Sequence, residues 1–112
     1  MLARRAATAL ATRSVQVVGE AGREAGRVGI VCGSGGDMIG MVRRAGCDTF
    51  VTGELKLHQA VEAEAAGLAV IAVGHHASEC FAMQTLADRL SEAVRGLVAW
   101  ASRDERDPLQ PL

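Results

Sequence analysis

Aromatic side chains are scarce in this sequence. They make up 3% of the 112 residues, with two phenylalanines, one tryptophan and no tyrosine. The hydrophobic fraction of 49% consists mainly of alanine, valine and other aliphatic side chains, so we expect a tightly packed core with few large anchors. A chain of this length suits one domain, and it can bury such a core without disulfides or a structural metal.

Cysteines are also few, and their spacing excludes a disulfide framework. Cys32, Cys47 and Cys80 are odd in number and far apart, and no two of them form a CxxC pair. We therefore predict reduced, mostly buried thiols in a cytoplasmic protein. No neighbouring basic group that would activate a thiolate is visible, which speaks against a catalytic cysteine.

An excess of charge of either sign is missing as well. The chain has 12 basic and 13 acidic residues, interleaved along its length, for a formal net charge of −1. This excludes the clustered positive charge of a nucleic-acid-binding surface. The longest apolar run, 68–73, is far too short to span a bilayer, so neither nucleic acid nor membrane is an expected partner.

The first 14 residues allow two interpretations. They contain three arginines and no acidic residue, which fits a mitochondrial transit peptide. Their alanine and leucine content equally fits a first helix, or a cut one, and we favour the helix. The last ten residues, 103–112, are predicted to be a polar tail.

Between these ends, short apolar β-branched runs alternate with helical patterns. Strands are predicted at 15–18, 27–32, 48–53, 68–74 and 97–102, and helices at 2–12, 38–46, 54–67 and 77–94. This order predicts an α/β fold with a mixed, mainly parallel sheet and helices on both faces, in three layers. Strands 27–32 and 68–74 should be buried, and Phe81, Leu86 and Leu90 should pack onto the sheet.

Three of the predicted strands end in polar or glycine-rich loops, namely CGSGGD (32–37), TGELKLH (52–58) and VGHHASE (73–79). The carboxyl ends of parallel strands meet at one edge of a sheet, where ligands bind in such folds. We therefore expect the three loops to lie together.

His75 and Glu79 in the third loop are four residues apart, on one face of a helix. An imidazole nitrogen and a carboxylate oxygen there could share a divalent cation such as Zn²⁺, Mn²⁺, Fe²⁺ or Co²⁺. The alternative is that Ser78 or His76 caps the helix while Glu79 favours its positive end. Two ligands are fewer than a zinc site usually has.

The other two loops also allow two interpretations each. Thr52, Glu54 and His58 could orient a metal ligand or act as acid and base, or Glu54 could charge a helix terminus while His58 lies at the surface. The glycines of CGSGGD fit a phosphate cradle at a helix start, although the P-loop lysine is missing, and they fit a tight turn equally well.

The segments RVGIVCGSGGDMI, AGCDTFVTGELKLHQAVEAEAAGLAVIAVGHHASE and RDERDP together resemble the C-terminal lobe of the Nif-three-like metal-binding proteins. These are often labelled GTP cyclohydrolase type 2 homologues. The resemblance implies one lobe of a two-lobe α/β fold, assembled into homo-oligomers, with two divalent ions between the lobes.

By position, the resemblance implies that His75 and Glu79 are metal ligands and that the loop carrying Thr52, Glu54 and His58 faces the cleft. We predict that Glu54 and His58 are catalytic and that Thr52 binds a small-molecule substrate. The implied reaction is metal-assisted hydrolysis of a nucleotide-like or phosphate-bearing compound. The histidine pair and aspartate of the family's other lobe have no counterpart here. We therefore expect one domain, 1–112, with an incomplete site, whether the chain is truncated, a natural short form or one of two separate chains. The alternative function is a non-enzymatic assembly or partner-binding module.

Overall fold

The computed structural model describes residues 1–110, so the last two residues of the predicted tail lie outside the described part. Its elements are helix α1 (Leu2–Ala9), strand β1 (Gln16–Val18), strand β2 (Val28–Val31), a 3₁₀ turn (Gly35–Met38), helix α2 (Ile39–Arg44), strand β3 (Thr49–Thr52), helix α3 (Leu57–Ala65), strand β4 (Ala69–Ala72), helix α4 (His75–Cys80) and helix α5 (Met83–Ala93). Within the described residues, none of these helices has the length and apolar character needed to cross a membrane.

The four strands form one sheet in the order β1-β4-β3-β2. Strand β3 lies in the centre and pairs in parallel with β2 on one side and β4 on the other. Strand β1 adds to β4 in antiparallel orientation. This arrangement confirms the prediction of a mixed, mainly parallel sheet, and it confirms that 27–32, 48–53 and 68–74 supply neighbouring strands.

The main core lies on one face of the sheet, beneath helices α2 and α3. Its buried side chains are Ile39, Val42, Phe50, Ala63, Leu68 and Val70. On the opposite face, the start of helix α1 lies over Val17 and Ile71, next to a small cavity that they share. Strand β4 is buried at all four residues because it has a strand on either side and helices above and below.

The prediction of a strand at 97–102 is wrong. This segment has no strand conformation, and Val98 and Trp100 are exposed. The Ala99 N–H donates instead to the Ser91 Oγ, 3.0 Å away. An apolar run becomes a strand only when another strand offers it backbone hydrogen bonds, and among residues 1–110 the sheet ends at β1 and β2.

The long helix predicted at 77–94 is two helices, α4 and α5, separated at Phe81 and Ala82. Leu86, predicted to pack on the sheet, is 49% exposed, and Phe81 and Leu90 are exposed as well. The buried residue of α5 is Ala87, about a hundred degrees around the helix from Leu86. Helical periodicity located the apolar side of α5 but could not show what that side contacts.

Strand β2 is less buried than predicted. Ile30 is 70% exposed and Val28 is also exposed, whereas Gly29 faces Val42 and Cys47. The cause is topological, because β2 is an edge strand and only its α2-facing side is covered within the described chain.

Candidate metal site at the carboxyl edge of the sheet

Backbone and side-chain hydrogen bonds join the three loops that follow β2, β3 and β4. The Gly33 N–H donates to the Ser78 Oγ at 2.8 Å, and the Glu54 N–H donates to the Gly33 carbonyl at 3.0 Å. The Gly74 N–H donates to the Gly53 carbonyl at 2.8 Å. We call this edge the carboxyl rim; it comprises residues 32–37, 52–58 and 73–79.

Gly33 allows the rim to close. Its φ of 65° lies in the left-handed region that favours glycine. A Cβ at this position would collide with Glu79 Oε1 and would lie 3.2 Å from His75 Nε2. The missing side chain therefore leaves room beside these two groups.

His75 lies between two carboxylates. Its Nδ1 is 2.9 Å from Glu54 Oε1, and its Nε2 is 3.4 Å from Glu79 Oε1, one turn further along helix α4. The Ser34 Oγ donates to Glu54 Oε1 at 2.5 Å, so the β2 loop holds the carboxylate that contacts His75. The four-residue spacing thus places His75 and Glu79 on one face of helix α4 and brings their side chains into contact.

These contacts shift both titrating groups towards their charged forms. The hydrogen bond from Ser34, followed by the one with His75, lowers the pKa of Glu54. The hydrogen bond to Glu54 raises the pKa of His75 above its ordinary value of 6.5, and the charges of Glu79 and Glu54 add to this. In the absence of a cation, His75 therefore holds a proton between its two carboxylates more readily than a free imidazole would.

The donor atoms suit a divalent cation. With Nδ1 of His75 turned to Glu54, Nε2 is the nitrogen on the Glu79 side, and a carboxylate partner on the other nitrogen is a common arrangement for metal-binding histidines. Zn²⁺, Mn²⁺, Fe²⁺ and Co²⁺ all accept such a nitrogen and oxygen pair. The residues fit a cation, and further ligands would complete its coordination.

The alternative of helix capping by Ser78 or His76 is not what these residues do. Gly74 is the N-cap, and no side chain caps helix α4. Ser78 is buried, and its Oγ donates to the His75 carbonyl at 2.8 Å while accepting from Gly33. Sequence reasoning missed the roles of Ser34 and Ser78 in positioning the site, although both stand in the strand-end loops that it singled out.

Thr52 is 1% exposed. Its Oγ1 accepts from the Gly35 N–H at 3.1 Å and donates to the Gly33 carbonyl at 3.2 Å. In this arrangement Thr52 holds the β2 loop in place, and a direct contact with substrate would require that loop to move.

Glu54 is not part of helix α3, although the predicted helix 54–67 included both Glu54 and His58. Helix α3 begins at Leu57, after the Lys56 N–H donates to the Gln59 Oε1 at 2.8 Å, so Glu54 lies in the preceding loop. His58 is exposed on α3, and within the described chain no hydrogen bond or ion pair joins it to His75.

The glycines of CGSGGD serve a tight turn. The Gly33 and Gly35 N–H groups already donate to the hydroxyls of Ser78 and Thr52. The Gln59 Nε2 donates to Asp37 at 2.8 Å, which ties the end of this loop to helix α3. These two N–H groups are therefore not available to a phosphate, and the cradle interpretation loses its main support.

Fold and site together define an α/β chain with a histidine held between carboxylates at the carboxyl ends of parallel strands. Residues 1–108 match the model of the family described as Duf34/NIF3 (NGG1p interacting factor 3), and the chain belongs to this family. This confirms the resemblance noted in the sequence.

Several curated relatives carry the name GTP cyclohydrolase 1 type 2 homolog. The one from Nostoc sp. is 34% identical over 82 residues, covering 72% of this chain and 30% of the relative. The one from Campylobacter jejuni is 36% identical over 78 residues, covering 70% and 31%. The chain thus spans about 30% of the length of these two relatives.

Solved structures show the same fold. A Bacillus cereus protein related to NIF3 matches 98% of this chain and 31% of its own length, with a TM-score of 0.90 and 25% identity. A Staphylococcus aureus protein matches 95% and 36%, with a TM-score of 0.84 and 29% identity.

Proposed function

We propose that His75 and Glu79 bind a divalent cation at the carboxyl rim, with Glu54 orienting His75, as part of a metal-dependent hydrolase. One observation carries this proposal. His75 meets Glu54 through Nδ1 at 2.9 Å and faces Glu79 through Nε2 at 3.4 Å, beside the space left by Gly33.

Zn²⁺, Mn²⁺, Fe²⁺ and Co²⁺ are the candidate ions. A bound ion would supply Lewis acidity and lower the pKa of water for hydrolysis. The rim of this chain offers His75 and Glu79 as direct ligands. The remaining ligands of this ion, and those of the second ion that the family resemblance implies, have to come from other residues.

The relatives' name supports a nucleotide-like or phosphate-bearing small molecule as substrate. Glu54 and His58 are the proposed proton-transfer groups, and Thr52 is a proposed substrate contact. Both contacts of Glu54 use Oε1, so proton transfer would fall to its Oε2. The spacing of the cysteines supports a cytoplasmic location.

The test is Mn²⁺ binding, followed by electron paramagnetic resonance and elemental analysis. Mn²⁺ is chosen because it prefers oxygen and nitrogen donors over thiolate. We expect His75→Ala and Glu79→Gln each to lower Mn²⁺ content, and His76→Asn, the matched neighbour, to leave it unchanged. Loss of Mn²⁺ in His76→Asn alone would mean that the wrong histidine was chosen. Unchanged Mn²⁺ binding in all three variants would mean that His75 and Glu79 are not metal ligands and only interact with each other at the helix end.

A second candidate function, self-assembly, rests on the edge strand β2. It presents the exposed Ile30 and an edge that no described strand covers, and such edges pair readily with a second copy. We expect a homo-oligomer by light scattering, and Ile30→Lys should shift it towards monomer. Leu57→Lys, at an exposed leucine on helix α3, is the control that should not. A monomeric parent at high concentration would contradict this function.

A further inference from the structure

A second group of metal-ligating side chains lies on another side of helix α4. His76 and Cys80 are one turn apart on this helix, and Glu105 approaches them from the C-terminal segment. One ligand atom from each of the three lies within 4.8 Å of the other two. None of these residues belongs to the pair proposed at the carboxyl rim.

His76 carries an unsatisfied atom at this place. Its Nε2 is buried and, among the described residues, has no hydrogen-bond partner. Glu105 Oε1 is 3.3 Å away, which is close enough for an ion pair but lacks hydrogen-bond geometry. Buried polar atoms are normally satisfied, so an orphaned imidazole nitrogen facing a carboxylate calls for a partner.

We propose that His76, Cys80 and Glu105 form a zinc site. An ion pair of His76 with Glu105 would account for two of the three groups, but it gives the neighbouring thiol no part. Zn²⁺ accepts imidazole nitrogen, thiolate sulfur and carboxylate oxygen together. Bound Zn²⁺ would also offset the negative charge of the thiolate and the carboxylate.

The distances require only a modest closing. Zinc bond lengths of about 2.0–2.3 Å place tetrahedral ligand atoms roughly 3.3–3.8 Å apart. His76 and Glu105 already meet this separation at 3.3 Å, and Cys80 lies within 4.8 Å of both. A rotation of the Cys80 or Glu105 side chain would supply the difference. The fourth position would face the open cleft beside Cys80, which Arg13 and Asp107 also line.

The site would have a structural consequence. Glu105 is the ligand that lies outside helix α4. A bound ion would therefore fasten the C-terminal segment to helix α4, which begins at the rim. The inference does not rest on the proposed hydrolase function, because the two sites share no ligand.

The experiment is a Co²⁺ titration of the metal-free chain, read by the near-ultraviolet thiolate-to-cobalt charge-transfer absorption. This signal requires a sulfur ligand, so Co²⁺ bound only by His75 and Glu79 does not produce it. We expect the band in the parent protein, its loss in Cys80→Ser, and its displacement by Zn²⁺. Because altering groups that merely contact ligands weakens metal binding by about 10–100-fold, His76→Ala and Glu105→Gln should each weaken Co²⁺ affinity at least tenfold.

Two controls make the result specific. Cys32→Ser, at an exposed cysteine outside the group, and Glu79→Gln, at the rim, should both retain the band. Glu105→Gln also keeps the experiment decisive if a helix α4 variant fails to fold, because Glu105 is exposed outside the regular elements. The proposal is overturned if the parent shows no band, if Cys80→Ser retains it, or if Glu105→Gln binds Co²⁺ with parental affinity.

Discussion

His75 and His76 are adjacent in sequence but occupy different environments. The His75 side chain is 44% exposed at the carboxyl rim, and each of its ring nitrogens has a carboxylate beside it. The His76 side chain is 25% exposed, and its buried Nε2 has no hydrogen-bond partner in the described part of the chain. Successive residues of a helix point about 100° apart, so His75 faces the carboxyl rim while His76 faces another side of helix α4.

Each histidine also has a partner four residues further on, but the two partners differ in chemistry. Glu79 gives the rim an oxygen donor, whereas Cys80 gives the other side of helix α4 a sulfur donor. The same spacing can therefore support two sites that prefer different ions. Substitutions should therefore separate the scaffold that the two places share from the contacts that belong to only one of them.

The largest effect should come from the scaffold that both places share. Phe50 is fully buried beneath helices α2 and α3, so Phe50→Ala should lower the free energy of unfolding by about 3–5 kcal/mol. The half-exposed Leu86 is the control, and Leu86→Ala should cost less than about 1 kcal/mol. Urea denaturation of both variants measures this, and equal losses would contradict the packing described for α5.

A smaller effect is expected from a substitution that disrupts the rim but leaves the other side of helix α4 intact. Gly33→Ala places a Cβ against Glu79 and forces a residue with a side chain to φ 65°. We expect a loss of about 1–3 kcal/mol in the free energy of unfolding, together with weaker Mn²⁺ binding. The Co²⁺ charge-transfer band of the His76 group should persist.

Gly22→Ala is the matched control for Gly33→Ala. A Cβ at Gly22 meets nothing within 4 Å, so both stability and Mn²⁺ binding should be unchanged. If Gly33→Ala behaves like Gly22→Ala, the space beside Glu79 and His75 is not set by Gly33.

The smallest effect concerns charge at the rim. The pKa of His75 is raised above 6.5, so its contribution to stability is complete below that value and disappears as pH rises through the raised pKa. The pKa of Glu54 is lowered from 4.5, so its contribution disappears as pH falls below about that value. In the metal-free chain the pair should therefore stabilise most between these two values.

Glu54→Gln should lower the pKa of His75, as measured by nuclear magnetic resonance titration, and should remove this stabilisation. The change in stability should be small because both side chains are about half exposed and solvent screens them. Glu62→Gln, at an exposed acid on helix α3, is the control that should leave His75 unchanged. A His75 pKa that does not respond to Glu54→Gln would contradict the contact.

Much of the fold was predictable because strands and helices leave local signals. The runs at 27–32, 48–53 and 68–74 are apolar and β-branched, and all three form neighbouring strands. The run at 97–102 carries a similar signal, but no described strand pairs with it, since pairing depends on residues distant in sequence. Likewise, Leu86 and Leu90 marked one side of α5 without showing that this side would stay exposed.

By itself, the sequence determined the α/β order, the meeting of three loops at one edge, and the spacing of His75 and Glu79 on one helix. The order and the spacing follow from local backbone geometry, whereas the meeting of the loops follows from the rule that the carboxyl ends of parallel strands share one edge of a sheet. Only the tertiary structure decided that Glu54 contacts His75 from the β3 loop, that Thr52 is buried in the loop it holds, and that Glu105 meets His76. Those contacts join residues 17 to 29 positions apart, and packing alone brings such residues together.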